Sequence, residues 1–185
     1  GAVVILAMDT STPHCTAAFD GRSAGVVAPT GHAENLADLI RQVVPDMSLI
    51  SGIVAGVGPG PYTGLRVGVV TATTMAEALG VPVFGVCSLD GLGARIGDGV
   101  VVTDARRREV FAARYEGGRR VEGPVVIPPA EASQRWKGPV VGPAVARYPD
   151  LGQMAVVDAA DLLIVPADMP ARPWYLREPD AKPPR

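Results

Sequence analysis

Cysteine is nearly absent from this sequence: Cys15 and Cys87 are the only two in 185 residues. So distant a pair makes no disulfide framework, and no C-x-x-C pair offers a zinc ribbon. Histidine is as scarce, with His14 and His32 alone. Two His and two Cys spread over residues 14–87 lack the spacing of a single-site metal, so His32 reads as a surface or capping residue and Cys87 as a small buried hydrophobe. A basic excess is missing too: 17 Lys and Arg stand against 19 Asp and Glu, a net charge of −2. That balance removes the compositional footprint of a nucleic-acid binder. The densest cationic run, Arg106-Arg107-Arg108, runs straight into Glu109 and reads as a solvated turn or strand edge in preference to an RNA contact. No apolar stretch reaches the roughly 18 residues of a membrane span, and no signal peptide is recognisable. The expectation is a soluble cytoplasmic protein with no membrane partner. Neither G-x-S-x-G nor Gly-Lys-Ser/Thr occurs, which excludes a nucleophile elbow and a Walker loop.

What is present is a core former. The chain is 48% hydrophobic and 19% charged, enough to bury a core, and its 22 Gly and 18 Pro are scattered as turns. Residues 3–8, "VVILAM", read as a strand buried on both faces and ending at Asp9. Cys15–Phe19 and Ser23–Ala28 read as a hairpin about Gly21. Leu36, Leu39, Ile40 and Val43 share one helical face over residues 33–43, and Pro45 stops that helix. Residues 49–57 read as a buried strand, Leu65–Leu79 as a helix with Gly80 at its C-cap, "VPVFGVC" as a short strand and Ser88–Ile96 as a short helix. The order β-β-β-α-β-α-β-α over residues 1–97 resembles the ribonuclease-H-like lobe of the actin-like ATPase superfamily. From residue 98 the pattern restarts: an apolar strand, an Asp (Asp104, as Asp9 before), then a hairpin strand Val110–Tyr115. After Gly117 the signal weakens into pieces cut by proline: a helix in "AEASQRW", a strand and turn in "PVVGPAV", a helix in "DAADLLIV" and an extended tail from Pro170. Residues 98–185 are too few to repeat the first lobe, so a reduced second lobe is expected.

Two features invite chemistry. Asp9, followed by Thr10, Ser11 and Thr12, could hold a hydrated metal near a phosphate; equally, the four side chains could satisfy turn amides. Both readings stand on sequence alone. The stretch "GVGPGPYTGLRVG" (56–68) joins a strand to a helix, where amide groups at the positive helix end form a generic anion site. Asp9, Gly58, Gly60, Thr63, Gly64 and Arg66 are its anion- or nucleotide-proximal candidates. Yet the glycines do not fit G-x-G-x-x-G, and a tight structural turn is the leading expectation, with anion binding at Gly60–Gly64 as the lesser one.

In order along the chain, "AMDTST", "GHAENLADLI", "GPGPYTGLRVG", "DARRREVFAARY" and "PWYLREPDA" resemble the bacterial TsaB (YeaZ) family, most specifically in the third segment. The resemblance covers nearly the whole chain and is weakest over 117–170. It implies a two-lobed α/β actin-like fold and a part in making threonylcarbamoyladenosine in tRNA. It also implies partnership with a TsaD-type transferase, engagement by a TsaE-type ATPase, and contact with tRNA only through that complex. TsaD-like chains carry a segment resembling G-V-N-H-L-E-G-H whose two His bind metal. Here "GVCSLDGL" places Ser88 and Leu92 at the ligand positions. Leu binds no metal and a neutral Ser hydroxyl is a poor substitute for imidazole, so no catalytic and no metal residues are expected. The resemblance places the partner contact on the first-lobe helices, for which Glu34, Leu36, Leu39, Ile40, Val43, Val69, Thr73 and Ala76 are the candidates. Without the partner, a homodimer through the same helices is expected. No cofactor is required by this chain alone, with ATP or ADP–Mg left open at the partner complex. The rival expectation is an actin-like kinase or ATPase using Asp9, Asp104 and the Gly58–Gly64 loop.

Overall fold

The run of apolar residues before Asp9 becomes β1 (Ile5–Asp9), the middle strand of a five-stranded sheet. The computed structural model describes residues 2–176, apart from the side chain of Tyr62. β2 (His14–Phe19) lies antiparallel to β1 and β3 (Arg22–Val27) antiparallel to β2, while β4 (Gly52–Gly56) and β5 (Val83–Val86) run parallel beyond β1, in the order β3-β2-β1-β4-β5. Asp20 and Gly21 both take left-handed φ, 48° and 75°, the conformation that a two-residue hairpin turn demands. Leu6, Met8, Cys15, Ala17, Phe19, Ile53 and Ala55 point to one face, and the alternate residues Ala7, Ala18, Val54 and Val86 to the other. Period-two alternation therefore feeds two cores from the same strands.

The first face is closed by α1 (His32–Val43) and α2 (Tyr62–Leu79). Leu36, Leu39, Ile40 and Val43 of α1 and Ala72 and Ala76 of α2 all enter that core. Gly80 ends α2 in the left-handed conformation at φ 66°, its N–H on the Ala76 and Glu77 carbonyls.

The second sheet runs β8-β7-β6-β9, built from β6 (Gly99–Asp104), β7 (Val110–Glu116), β8 (Arg119–Ile127) and β9 (Val140–Val141). Val100 and Val102 face α4 (Pro129–Arg135) and Trp136, whereas Val101, Ala113 and Tyr115 face α3 (Asp90–Ile96) through Leu92. Tyr115 donates to Asp90 Oδ1 at 2.6 Å, Arg120 Nε donates to the same oxygen at 3.0 Å, and the Arg120 guanidinium lies 5.5 Å from the Trp174 ring centroid. The β6–β7 turn is strained: Arg106, Arg107 and Arg108 have φ of 60°, 52° and 57° in succession. Each non-glycine residue there costs roughly 1–2 kcal/mol.

Three expectations are corrected. β8 was not anticipated, because the signal weakens after Gly117; the strand lies at a sheet edge, where Pro124, without an N–H, is tolerated. α2 starts at Tyr62, three positions before Leu65, so the end of the glycine stretch is helical. Residues 157–174 were assigned to the second lobe, yet they return to the first sheet. α5 (Ala159–Leu162) packs Ala159 and Leu162 on Ala7, Ala18, Val54 and Val86; Gly85 and Met169 bridge as antiparallel partners; and the Trp174 N–H donates to the Val57 carbonyl at 2.7 Å. A sheet with parallel strands needs cover on both faces. α3 is spent on the second sheet, so the chain's end supplies the missing layer. The remainder of the proline-rich tail, 177–185, lies outside the described residues.

Gly93 on α3 marks the tightest contact between the halves, since a Cβ there would overlap the Tyr115 ring. Gly93→Ala should lower the thermal midpoint, followed by circular dichroism, although Ala is the better helix former by about 1 kcal/mol.

Candidate functional site

The β1–β2 turn and the glycine stretch meet at the end of β1. Asp9 is completely buried, its Oδ1 accepting from the Ser11 N–H at 2.8 Å and the Ser11 hydroxyl at 2.6 Å. The Thr10 hydroxyl donates to the Gly64 carbonyl at 2.6 Å and accepts from the Gly68 N–H at 2.8 Å. Gly60 stands where a Cβ would come within 2.6 Å of the Ser11 carbonyl, and one at Gly56 would overlap Asp9 Oδ2. The glycines are thus close-approach positions against the chain's own turn. The hydrogen bonds of the turn reading of Asp9-Thr10-Ser11-Thr12 are formed. Burial raises the Asp9 carboxyl above the ordinary carboxylate range, partly offset by the Ser11 and Ser88 hydroxyls. Cys15 behind it is pushed up to about 11, by burial and then by the Asp9 charge.

In front of this turn lies a cleft of about 490 Å³, walled by Ser11, Thr12, Thr30, His32 and Thr63 on one side and reached by Arg106 from the second sheet. Asp9 does not line it. Asp104 lies nearby, its Oδ1 taken by the Arg106 N–H at 2.9 Å and its Oδ2 3.5 Å from the Arg147 guanidinium. The two carboxylates of the kinase reading are therefore one buried below the cleft and one held by a backbone amide and the Arg147 guanidinium. So placed, they do not fit a metal–nucleotide clamp.

The structure redistributes the predicted interface residues. Leu36, Leu39, Ile40, Val43, Val69 and Ala76 are each at most 4% exposed, sunk against the chain's own sheet. Only Glu34, exposed, and Thr73, half-buried with its hydroxyl on the Val69 carbonyl at 3.0 Å, retain surface. The apolar stripe had to face the first sheet because the exposed alternative would leave Phe19, Leu6 and Ile53 uncovered. The outward side of α2 carries Arg66, Val70, Thr74 and Glu77 instead, with Val70 48% exposed, and with Ala33 it borders a groove of about 370 Å³. Periodicity could have located this side only with the inward side already known.

Ser88 and Leu92 are both buried. Ser88 Oγ accepts the Gly58 N–H at 2.9 Å, and Leu92 packs with Cys87, Val101 and Tyr115. Among the described residues no group of three His, Cys, Asp or Glu could hold a metal ion. Burial drives the Cys87 thiol far above its usual range, with the Asp90 charge adding to it.

Residues 14–151 match the family model described as TsaD, tRNA N6-adenosine threonylcarbamoyltransferase. The YeaZ structure from Pseudomonas aeruginosa superposes with a TM-score of 0.75 at 28% identity, covering 95% of this chain and 100% of that one. The tRNA threonylcarbamoyladenosine biosynthesis protein TsaB of Escherichia coli is 28% identical over 192 residues, 89% of this chain and 83% of that protein. The chain belongs to the TsaB/YeaZ family. An uncharacterized Mycobacterium tuberculosis protein is more similar still, 41% identical over 208 residues, 97% of this chain and 94% of that one. The YeaZ superposition extends the shared α/β architecture over nearly the whole chain. Among the described residues no helix is long and apolar enough to cross a membrane.

Two measurements check this site. Because the folded state holds the Asp9 proton more tightly than the unfolded chain, ionising Asp9 subtracts from stability as pH rises through and above the unfolded carboxylate value. Asp9→Asn should therefore raise the thermal midpoint at pH 7, and the gain should vanish below about pH 4, where both side chains are neutral. Leu36→Ala should cost about 2–5 kcal/mol in urea unfolding of the isolated chain, as a core truncation does and an interface truncation does not.

Proposed function

We propose that this chain is a non-catalytic accessory subunit of the machinery that makes threonylcarbamoyladenosine in tRNA. It binds a TsaD-type transferase and supports it, while the chemistry resides in the partner. The observation that carries this is the filling of the ligand positions: Ser88 is committed to the Gly58 amide and Leu92 to the inter-sheet core, so the site of the catalytic relatives is built here as packing. A chain that keeps the architecture without the ligands contributes by binding.

The partner surface is the outward side of α2 with the start of α1. Val70, Val67 and Ala33 present small apolar area there, and Thr63 and Thr71 permit close helix approach. The rest of α1's outer side is polar, including the exposed Arg41–Asp38 pair at 2.6 Å, and forms the rim. The same surface serves self-association when the partner is absent. A TsaE-type ATPase engages the assembled pair, any ATP or ADP–Mg sits at the partner interface and not on Asp9, and the setting is the cytoplasm.

Val70→Asp tests the surface. The variant should keep the thermal midpoint of the isolated chain, because Val70 is half exposed, yet fail to co-elute with the TsaD-type partner on a sizing column. Absence of co-elution by the unmodified chain, with and without ATP, would sink the accessory reading itself.

A further inference from the structure

The sequence favoured a bland account of Arg106-Arg107-Arg108, and the structure changes its weight. All three residues sit in the left-handed region, at φ of 60°, 52° and 57°. The turn is held by the chain's own polar groups: Arg106 N–H to Asp104 Oδ1 at 2.9 Å, Glu109 N–H to the Arg106 carbonyl at 2.9 Å, and Ala105 N–H to the Glu109 carbonyl at 3.0 Å. At Arg106 and Arg108 nothing in that bonding calls for arginine; Gly, Asn or Asp there would close the same turn with less strain. Backbone strain at side chains the turn does not need points to what those side chains meet outside it.

Their neighbourhood has one sign. Arg106 borders both the cleft in front of the β1–β2 turn and an adjoining hollow of about 230 Å³, where Arg147 joins it. Arg66 lies on the α1–α2 groove, which shares Ala33, Thr63 and Val67 with the cleft. Arg66, Arg106 and Arg108 are exposed and enter no ion pair among the described residues, as is also true of Arg22 on β3 and Arg119 on β8; what distinguishes the first group is its place beside the cleft and its grooves. Among the described residues Asp104 is the one acid on the walls of these hollows, and Arg147 and the Arg106 N–H already engage it. Between the cations stand the hydroxyl residues Ser11, Thr12, Thr30 and Thr63. In a chain of net charge −2, exposed guanidinium groups thus stand close together: Arg106 on the cleft wall, Arg108 two residues on in the same turn, and Arg66 on the adjoining groove.

We propose that this cationic rim contacts the RNA substrate directly, Arg106 and Arg108 pairing with successive backbone phosphates. Guanidinium groups pair with phosphate oxygens in two-pronged geometry, and neighbouring hydroxyls donate to phosphate and sugar oxygens. Phosphate and sugar contacts of this kind position the RNA through its backbone. The proposal rests on the assignment to tRNA modification, and it adds a nucleic-acid contact to a subunit otherwise assigned a protein partner.

Arg106→Asn with Arg108→Asn removes both charges, while Asn tolerates the left-handed backbone, so the fold and its thermal midpoint should be kept. The probe is fluorescently labelled tRNA, titrated by anisotropy between about 50 and 200 mM salt against the chain alone and against its complex with the TsaD-type partner. Arg22→Asn with Arg119→Asn, two exposed arginines elsewhere, controls for net charge. The double variant at the rim should weaken tRNA binding by about tenfold at low salt and lower the slope of log K against log salt by about 1–2, uniformly across tRNA sequences, with the control much less affected. An unchanged slope overturns the proposal, as does an equal loss in the control. Loss of co-elution with the partner at an unchanged slope overturns it in favour of an acidic protein contact. Should no complex form at all, the accessory reading falls separately, and tRNA binding by the chain alone decides: loss in the rim variant supports the contact, and no binding by the unmodified chain overturns it.

Discussion

The hydroxyl of Thr10, held between the carbonyl of Gly64 and the amide of Gly68, is the contact from which the rest of the molecule is oriented. It locks the first turns of α2 onto the end of β1, and it can do so because Gly60, Gly64 and Gly68 leave no Cβ in the way. A helix pinned there has its rotation set. Leu65, Val69, Ala72 and Ala76 then turn inward, and Arg66, Val70 and Thr74 turn outward. The same pinning buries Asp9 behind Ser11 and converts what could have been a phosphate cradle into a packed joint. The cleft that remains in front of it is walled by hydroxyls and rimmed by arginine.

The second constraint is the shortage of cover. The first sheet has two apolar faces, and its own helices supply one. The chain meets the deficit with its end, laying α5 over Ala7, Ala18, Val54 and Val86 and running on to Trp174. Trp174 is clasped there by Arg120, whose guanidinium serves Asp90 and the Gly123 carbonyl as well. Burial alone would lower the Arg120 pKa; Cys87, Asp90 and Tyr115 together outweigh it and raise it. One cation therefore ties α3, β7, β8 and the chain's end together, and the two sheets share a core at Leu92, Val101 and Tyr115. Ser88 and Leu92 fall within this joint, so the packing that holds them also couples the halves.

Much of this was legible in the residues. The apolar run ending at Asp9 and the hairpin about Gly21 follow from burial on both faces and from turn chemistry. The stripe Leu36, Leu39, Ile40 and Val43 marked α1, because 3.6-residue spacing admits one apolar side. Legibility stopped where a local signal had two uses. Gly123-Pro124 marks a break as readily as an edge strand. Asp9 with its hydroxyls suits a metal or a turn, and only the amide of Ser11 and the contacts of Thr10 choose between them. The apolar stripe of α1 would look the same whether it met a partner or the chain's own sheet.

By itself the sequence determined the order of elements over the first 97 residues and membership of a lineage through "GPGPYTGLRVG", since both are properties of residue types at fixed spacing. The tertiary structure alone decided which side of α2 is left to solvent, where the last layer of the first sheet comes from, and that Arg106–Arg108 stand strained beside a cleft of hydroxyls. Those outcomes depend on contacts between segments far apart in the chain, as Thr10 is from Gly68 and Trp174 from Val57. Periodicity within a segment shows that one side is apolar; what lies against that side is settled only when the distant segments meet.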